Sequence, residues 1–148
     1  MTDEKVEAWR RGSLGWLIAV LSNDMATTLD ERLKEIDLRI TLWPTLVVLW
    51  QEDGLTQSEL SSRCLTANYT TTRVLDALEK SGLIERRPHP TSRRSHLVYL
   101  TGLGQSLRME GIARGKATNK KFMAGLSEDE QDTFLQLLNK MIDSRAED

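Results

Sequence analysis

Residues Thr56 to Leu100 constrain the fold of this chain more than any other stretch, because helix, turn, helix and strand signals follow one another there at short spacing. Thr56 and Glu59 stand three apart, the spacing at which a hydroxyl and a carboxylate reciprocally satisfy backbone N–H groups at a helix start, so a helix begins there and runs to about Cys64. After a few turn residues Thr71, Val74, Leu75 and Leu78 recur at spacings of three and four, which places them on one buried face of a second helix. Tyr69, Thr72, Arg73 and Asp76 then point away from that face. Gly82 follows Lys80 and Ser81 where the helix should close, since glycine accepts the left-handed conformation of a C-terminal cap. Leu83 to Pro88 and Ser95 to Leu100 read as two short strands around His89–Arg94, and the second strand sets His96, Val98 and Leu100 against Leu97 and Tyr99. Two helices followed by a ribbon with arginines at its tip make a winged helix-turn-helix, a device that holds duplex DNA.

The flanks read as helices. Leu14 to about Leu38 carries a long helical pattern, and Leu42 to Glu52 a shorter one ending before Gly54. One further helix starts near Leu103 and another after Ser127, where Ser127 and Glu130 repeat the capping spacing. The last helix carries the stripe Phe134, Leu137, Leu138 and Met141, and the first carries Leu14, Leu17, Ile18, Leu21 and Met25. Terminal helices with such stripes in so short a chain either fold back on its core or meet a second copy, and a shared dimer interface is the favoured reading. The expected fold is mostly α: a single domain over 1–148, with dimerisation helices at about 1–38 and 103–148 and a winged helix-turn-helix lobe at 42–101.

Charge is distributed unevenly. The sum of −2 hides seven Lys or Arg against four Asp or Glu between Thr56 and Leu100, and three against seven from Lys121 to Asp148. An acidic tail masks a basic centre, the footprint a nucleic-acid surface requires. The longest apolar run, Leu14–Leu21, is far short of the roughly 20 residues that span a bilayer, so no membrane role is expected. The start Met1-Thr2-Asp3-Glu4 lacks a basic segment before an apolar one, and a single cysteine cannot form an intrachain disulfide; both point to the cytoplasm.

The order T-Q-S-E-L at Thr56–Leu60, R-V-L-D-A-L-E-K-S-G-L-I-E-R-R at Arg73–Arg87, S-R-R at Ser92–Arg94 and L-T-x-x-G at Leu100–Gly104 resembles the MarR (multiple antibiotic resistance regulator) family of bacterial winged helix-turn-helix transcriptional regulators. The resemblance implies a homodimer whose terminal helices interlock and whose two recognition helices enter successive major grooves of an inverted repeat, about one helical turn or roughly 34 Å apart. It assigns Asn68, Tyr69, Thr70, Thr72 and Arg73 to the reading half of the second helix, Arg73 suiting guanine O6 and N7. Thr56, Gln57 and Ser58 would meet phosphate at a helix N-terminus. Arg94 would enter the minor groove while Arg93 follows the backbone. The family often has an acidic residue where Ser92 and His89 stand, so nothing of opposite charge orients the wing arginines. Where the family often has Gly and then a Ser cap, this chain has Leu65, Thr66 and Ala67, and Thr66 is expected to take over the capping.

Regulators of this kind commonly bind small aromatic acids between the lobes, and Trp16, Met25, Trp43 and Trp50 are the candidate lining residues. Repression relieved by such a ligand is the expected mode of action. Two alternatives stand beside it: peroxide sensing through Cys64, and a winged helix used only for protein contacts. Cys64 lies at the end of the first motif helix with no basic neighbour on its face, a setting for an inert thiol. Gly102, Gly104, Gly111 and Gly115 crowd a connecting helix and point to pliability there. An enzyme is not expected: His89 and His96 flank the wing, no Cys/His set has metal-ligand spacing, and no phosphate loop or nucleophile elbow occurs. No cofactor or metal is called for.

Overall fold

In a computed structural model of the chain, residues 2–145 are described; residue 1 and residues 146–148, among them the tail acids Glu147 and Asp148, lie outside the described residues. Helix α1 (Asp3–Gly12) opens with Asp3 and Glu4 and closes with Arg10 and Arg11, charges that complement the helix dipole at both ends, but it buries no residue. Ser13 caps α2 (Leu14–Lys34), accepting from the Trp16 N–H. Helix α2 stops short of the expected Leu38 because Asp37 takes a left-handed φ of 57° and the Leu38 N–H turns back to the Leu33 carbonyl. That reversal drives Leu38 into the core.

A single 3₁₀ turn (Ile40–Leu42) leads into α3 (Trp43–Gln51), with Pro44 in its first turn, where the missing N–H costs nothing. Then follow a two-residue strand β1 (Leu55–Thr56), α4 (Gln57–Cys64), α5 (Asn68–Lys80), β2 (Ile84–Pro88) and β3 (His96–Leu100). The strands form an antiparallel sheet in the order β1-β3-β2, with Leu55 opposite Val98 and Ile84 opposite Leu100. Strand β1 makes a third sheet member beside the expected ribbon. The sheet, α3, α4 and α5 enclose a core rich in leucine, in which Leu33, Leu38, Leu46, Leu49, Leu60, Leu75, Leu78 and Val98 are almost inaccessible.

The connecting helix is broken. Thr101 caps α6 (Gly102–Ser106), and after Leu107 the chain resumes as α7 (Arg108–Met123). Helix α7 lies along α2, where Arg114 donates to the Arg32 carbonyl and Arg32 donates to the Thr118 hydroxyl. The expected capping box at Ser127 and Glu130 starts α8 (Glu128–Ser144), which has no buried residue. Phe134, Leu137 and Met141 of its stripe are exposed, as are Leu14, Leu17, Ile18 and Leu21 on α2. No helix among the described residues is long and apolar enough to cross a membrane.

A winged-helix nucleic-acid face

Helix α4 starts on the capping box read from the sequence: the Thr56 hydroxyl accepts from the Glu59 N–H at 3.2 Å, and the Glu59 carboxylate accepts from the Thr56 N–H at 2.7 Å. Those bonds from Thr56 hold the Glu59 carboxyl below its ordinary value of 4.5. The Thr56 side chain is thereby engaged within the helix start. Gln57 is engaged too, donating to the Asn68 carbonyl at 3.1 Å and to the Thr72 hydroxyl at 2.6 Å. Of the three residues assigned to phosphate, Ser58 is the one whose side chain stays exposed and free of these bonds, beside the first N–H groups of α4 that no helical carbonyl can satisfy.

The turn corrects one expectation. Thr66 does not cap the recognition helix; Ala67 occupies the N-cap position, with no side-chain bond to the helix. The Thr66 hydroxyl instead meets the Thr71 hydroxyl at 3.1 Å, and the Ser61 hydroxyl donates to Thr71 at 2.7 Å. This cluster locks α4 against α5 from inside, with Ser61 and Thr71 both buried. A buried hydroxyl pays for its desolvation only when partnered, and here each finds its partner on the neighbouring helix or turn. Leu65 takes φ 53° and ψ 42°, the left-handed conformation in which glycine is at ease, while its side chain is 75% exposed.

Helix α5 then presents a polar face. Thr71, Leu75 and Leu78 are buried as expected, whereas Asn68, Tyr69 and Arg73 are exposed and Thr70 and Thr72 are half-buried. Tyr69 is 71% exposed. An ion pair of Arg73 with Asp76 or Glu79 would compete with DNA, but both carboxylates are taken by Arg86 from β2, at 2.6 Å and 3.1 Å. The Arg86 guanidinium in turn holds the Glu79 carboxyl below its ordinary value. Arg87 pairs with Glu85 and lies 4.1 Å from the Tyr99 ring centroid, and Arg63 pairs with Glu52 at 2.6 Å. Among the described residues, the cations of this module left without an ion pair are Arg73, Lys80, Arg93 and Arg94.

The wing is closed by the His89 N–H, which donates to the Ser95 carbonyl at 3.2 Å, while Nδ1 of His89 accepts from the Thr91 N–H at 3.2 Å. His89, standing where an acid is common, therefore shapes the loop through its ring nitrogen. Arg93 and Arg94 are exposed. A polar cleft of about 370 Å³ separates the wing from the helix pair, rimmed by Ser58, Asn68, Arg94 and His96 over a floor of Leu75 and Val98. Free guanidinium groups, helix N–H groups and hydroxyls on one face can neutralise and hydrogen-bond a phosphate backbone while a helix reaches base edges.

Of the four candidate ligand residues, Trp16 and Met25 lie on α2 and Trp43 and Trp50 on α3. Trp16 is 42% exposed and lies under the Arg10 guanidinium at 4.3 Å, and Met25 is half-buried farther along α2. Trp43 and Trp50 meet edge to face at 5.8 Å, with Trp50 only 4% exposed and its indole N–H bound to the Gly104 carbonyl at 2.9 Å. Cys64 is half-buried with its Sγ 3.9 Å from the Thr45 hydroxyl, and burial pushes its thiol pKa up, away from a reactive thiolate. Particular glycines of the connector serve close approach: a Cβ on Gly104 would lie 2.1 Å from the Leu83 carbonyl oxygen, and one on Gly111 would lie 2.6 Å from the Trp50 ring. Sequence reading missed that use, and also missed the Ser61–Thr66–Thr71 cluster, because both depend on what faces them across the fold.

Comparison with known proteins agrees with this geometry. The MarR family model matches residues 38–96, from the turn after α2 to the first residue of β3. The transcriptional regulator HosA of Escherichia coli O111:H- is 27% identical over 108 residues, covering 73% of this chain and 80% of its own length. A cysteine-to-serine mutant of E. coli MarR, solved with operator DNA, superposes with a TM-score of 0.78 at 28% identity, covering 86% of this chain and 92% of that one. The S. aureus MepR–DNA complex gives 0.80 at 26% identity, with 89% and 98% covered. Through its DNA-binding lobe the chain is similar to the MarR family of winged helix-turn-helix transcriptional regulators.

Proposed function

We propose that this regulator acts as a homodimeric repressor, placing two copies of α5 in successive major grooves of an inverted-repeat operator. The observation that carries the reading is the separation of charges: Arg86 absorbs Asp76 and Glu79, which leaves Arg73 free on the outer face of α5 while Arg93 and Arg94 extend from the wing. Arg73 reads guanine, Tyr69, Asn68, Thr70 and Thr72 complete the reading half of the helix, and Ser58 with the first N–H groups of α4 takes phosphate. Arg94 enters the adjacent minor groove and Arg93 follows the backbone. Similar structures solved with DNA, one of them with operator DNA, support the reading of the face.

The second copy supplies what the terminal helices lack. Leu14, Leu17, Ile18 and Leu21 on α2, and Phe134, Leu137, Met141 and Ile142 on α8, are each 40% exposed or more, which water disfavours unless a partner covers them. A small aromatic acid that prefers a geometry unsuited to the operator lowers DNA affinity by its differential binding, and DNA reciprocally weakens the acid.

Selection of the protein against a random duplex pool tests this reading. Enrichment of an inverted repeat with half-sites about one helical turn apart is the expected result. Retention without enrichment removes specific readout, and absence of retention at low salt removes DNA as the partner.

A further inference from the structure

Two tryptophans of the DNA-binding lobe press on glycines of the connecting arm. A Cβ on Gly111 would sit 2.6 Å from one outer atom of the Trp50 ring and 3.1 Å from another, and a Cβ on Gly115 would sit 3.0 Å from the Trp43 ring. The two indoles brace each other edge to face at 5.8 Å. Trp50 is further pinned by its buried N–H bond to the Gly104 carbonyl, and Gly104 is itself held against the Leu83 carbonyl at the root of the wing. The contact therefore joins α3, α6, α7 and the backbone just before β2, through ring edges and main chain. Gly102, two residues before Gly104, has nothing within 4 Å of its Cβ position. The close approach thus belongs to particular glycines rather than to a glycine-rich, loose segment.

We propose that Gly111 and Gly115 of α7, seated against Trp50 and Trp43 of α3, are positioning residues that set the angle between the DNA-binding lobe and the arm, and through it the operator spacing the protein accepts. The proposal rests on the dimeric reading above. Packed ring edges and backbone are stiff: contact at 2.6 Å must open by about 1 Å to reach ordinary van der Waals separation, and neither partner has a rotatable end that can absorb it. The displacement passes into the helix axis. With half-sites roughly 34 Å apart in a two-fold complex, each lobe's rotation is doubled in the separation of the recognition helices.

The test uses the full-length protein on duplexes carrying either one half-site or two half-sites at graded spacing. Gly111→Ala is expected to keep single half-site affinity within about twofold, lose about tenfold or more on the inverted repeat preferred by wild type, and shift the preferred spacing. Gly115→Ala, with its milder 3.0 Å approach, is expected to move the spacing in the same direction by less, and serves if Gly111→Ala fails to fold. Adding Trp50→Phe to Gly111→Ala withdraws the outer ring atoms and is expected to return the spacing toward wild type, a rescue that a simple loss of stability cannot produce. Gly102→Ala is expected to leave both affinities unchanged. Equal losses on single and paired half-sites, or an unchanged spacing optimum in both glycine variants, overturn the proposal. A wild-type protein without any spacing optimum overturns the dimeric reading and this one with it, and that failure is read from the wild type alone.

Discussion

The central lobe and the terminal helices of this molecule solve the same problem in opposite ways. In the lobe, Leu60, Leu75, Leu78 and Val98 are sealed by the chain's own sheet and helices. In the arms, α8 buries nothing and the first half of α2 is apolar on every side yet 42–52% exposed at Leu14, Trp16, Leu17, Ile18, Val20 and Leu21. Identical residue types thus carry different information by region. A leucine in the lobe reports a completed core, whereas Leu14, Leu17 and Leu21 of α2 and Leu135 and Leu137 of α8 are left on the surface.

Substitutions in the two regions should therefore separate cleanly. Leu75→Ala, in the lobe, is expected to cost about 2–5 kcal/mol of unfolding free energy, read by denaturant titration, because it leaves a cavity among fully buried neighbours. Leu137→Asp, in the arm, is expected to leave the lobe folded by circular dichroism while weakening self-association by about 2 kcal/mol or more in sedimentation. Destabilisation of the lobe by the arm substitution would break the comparison. On the DNA face, Arg73→Ala is expected to lose about 1–3 kcal/mol of discrimination at one base position per half-site, whereas Arg94→Ala weakens sites with A·T-rich flanks; both are read by repeating the selection. Uniform loss on every sequence would refute base readout by Arg73. Leu65→Gly is expected to raise stability by about 1 kcal/mol, since it relieves a left-handed leucine whose exposed side chain gains nothing in return.

The smallest effect compares one motif in both regions. Glu59 and Glu130 close matching capping boxes, and backbone bonds from Thr56 and Ser127 hold both carboxyls below the ordinary 4.5. A depressed native value means the contribution is complete above pH 4.5 and fades as pH falls through the lowered native value. Glu59→Gln should flatten the acid side of the lobe's stability profile, and Glu130→Gln should act on the arm alone.

Both capping boxes, the buried face of α5 and the two long wing strands were legible in the chain, because each depends on residues within a few positions of one another. Helix α1 escaped notice since it carries no apolar stripe; its support is charge at its two ends. Strand β1, only two residues long, exists because Leu55 and Thr56 find Val98 and Leu97 across the sheet. Thr66 looked like a cap in sequence and became a member of an interhelical hydroxyl cluster, since its hydroxyl meets that of Thr71, which also accepts from Ser61.

The sequence by itself determined the order of the lobe's helices and wing strands and the two capped helix starts at Thr56 and Ser127, because capping and periodicity are local properties of the chain. The tertiary structure alone decided which cations stay free, by giving Asp76 and Glu79 to Arg86, and why the connector needs glycine, by laying α7 on two indole rings. Those outcomes depend on distances between residues far apart in the chain, and such distances are set only when the core closes.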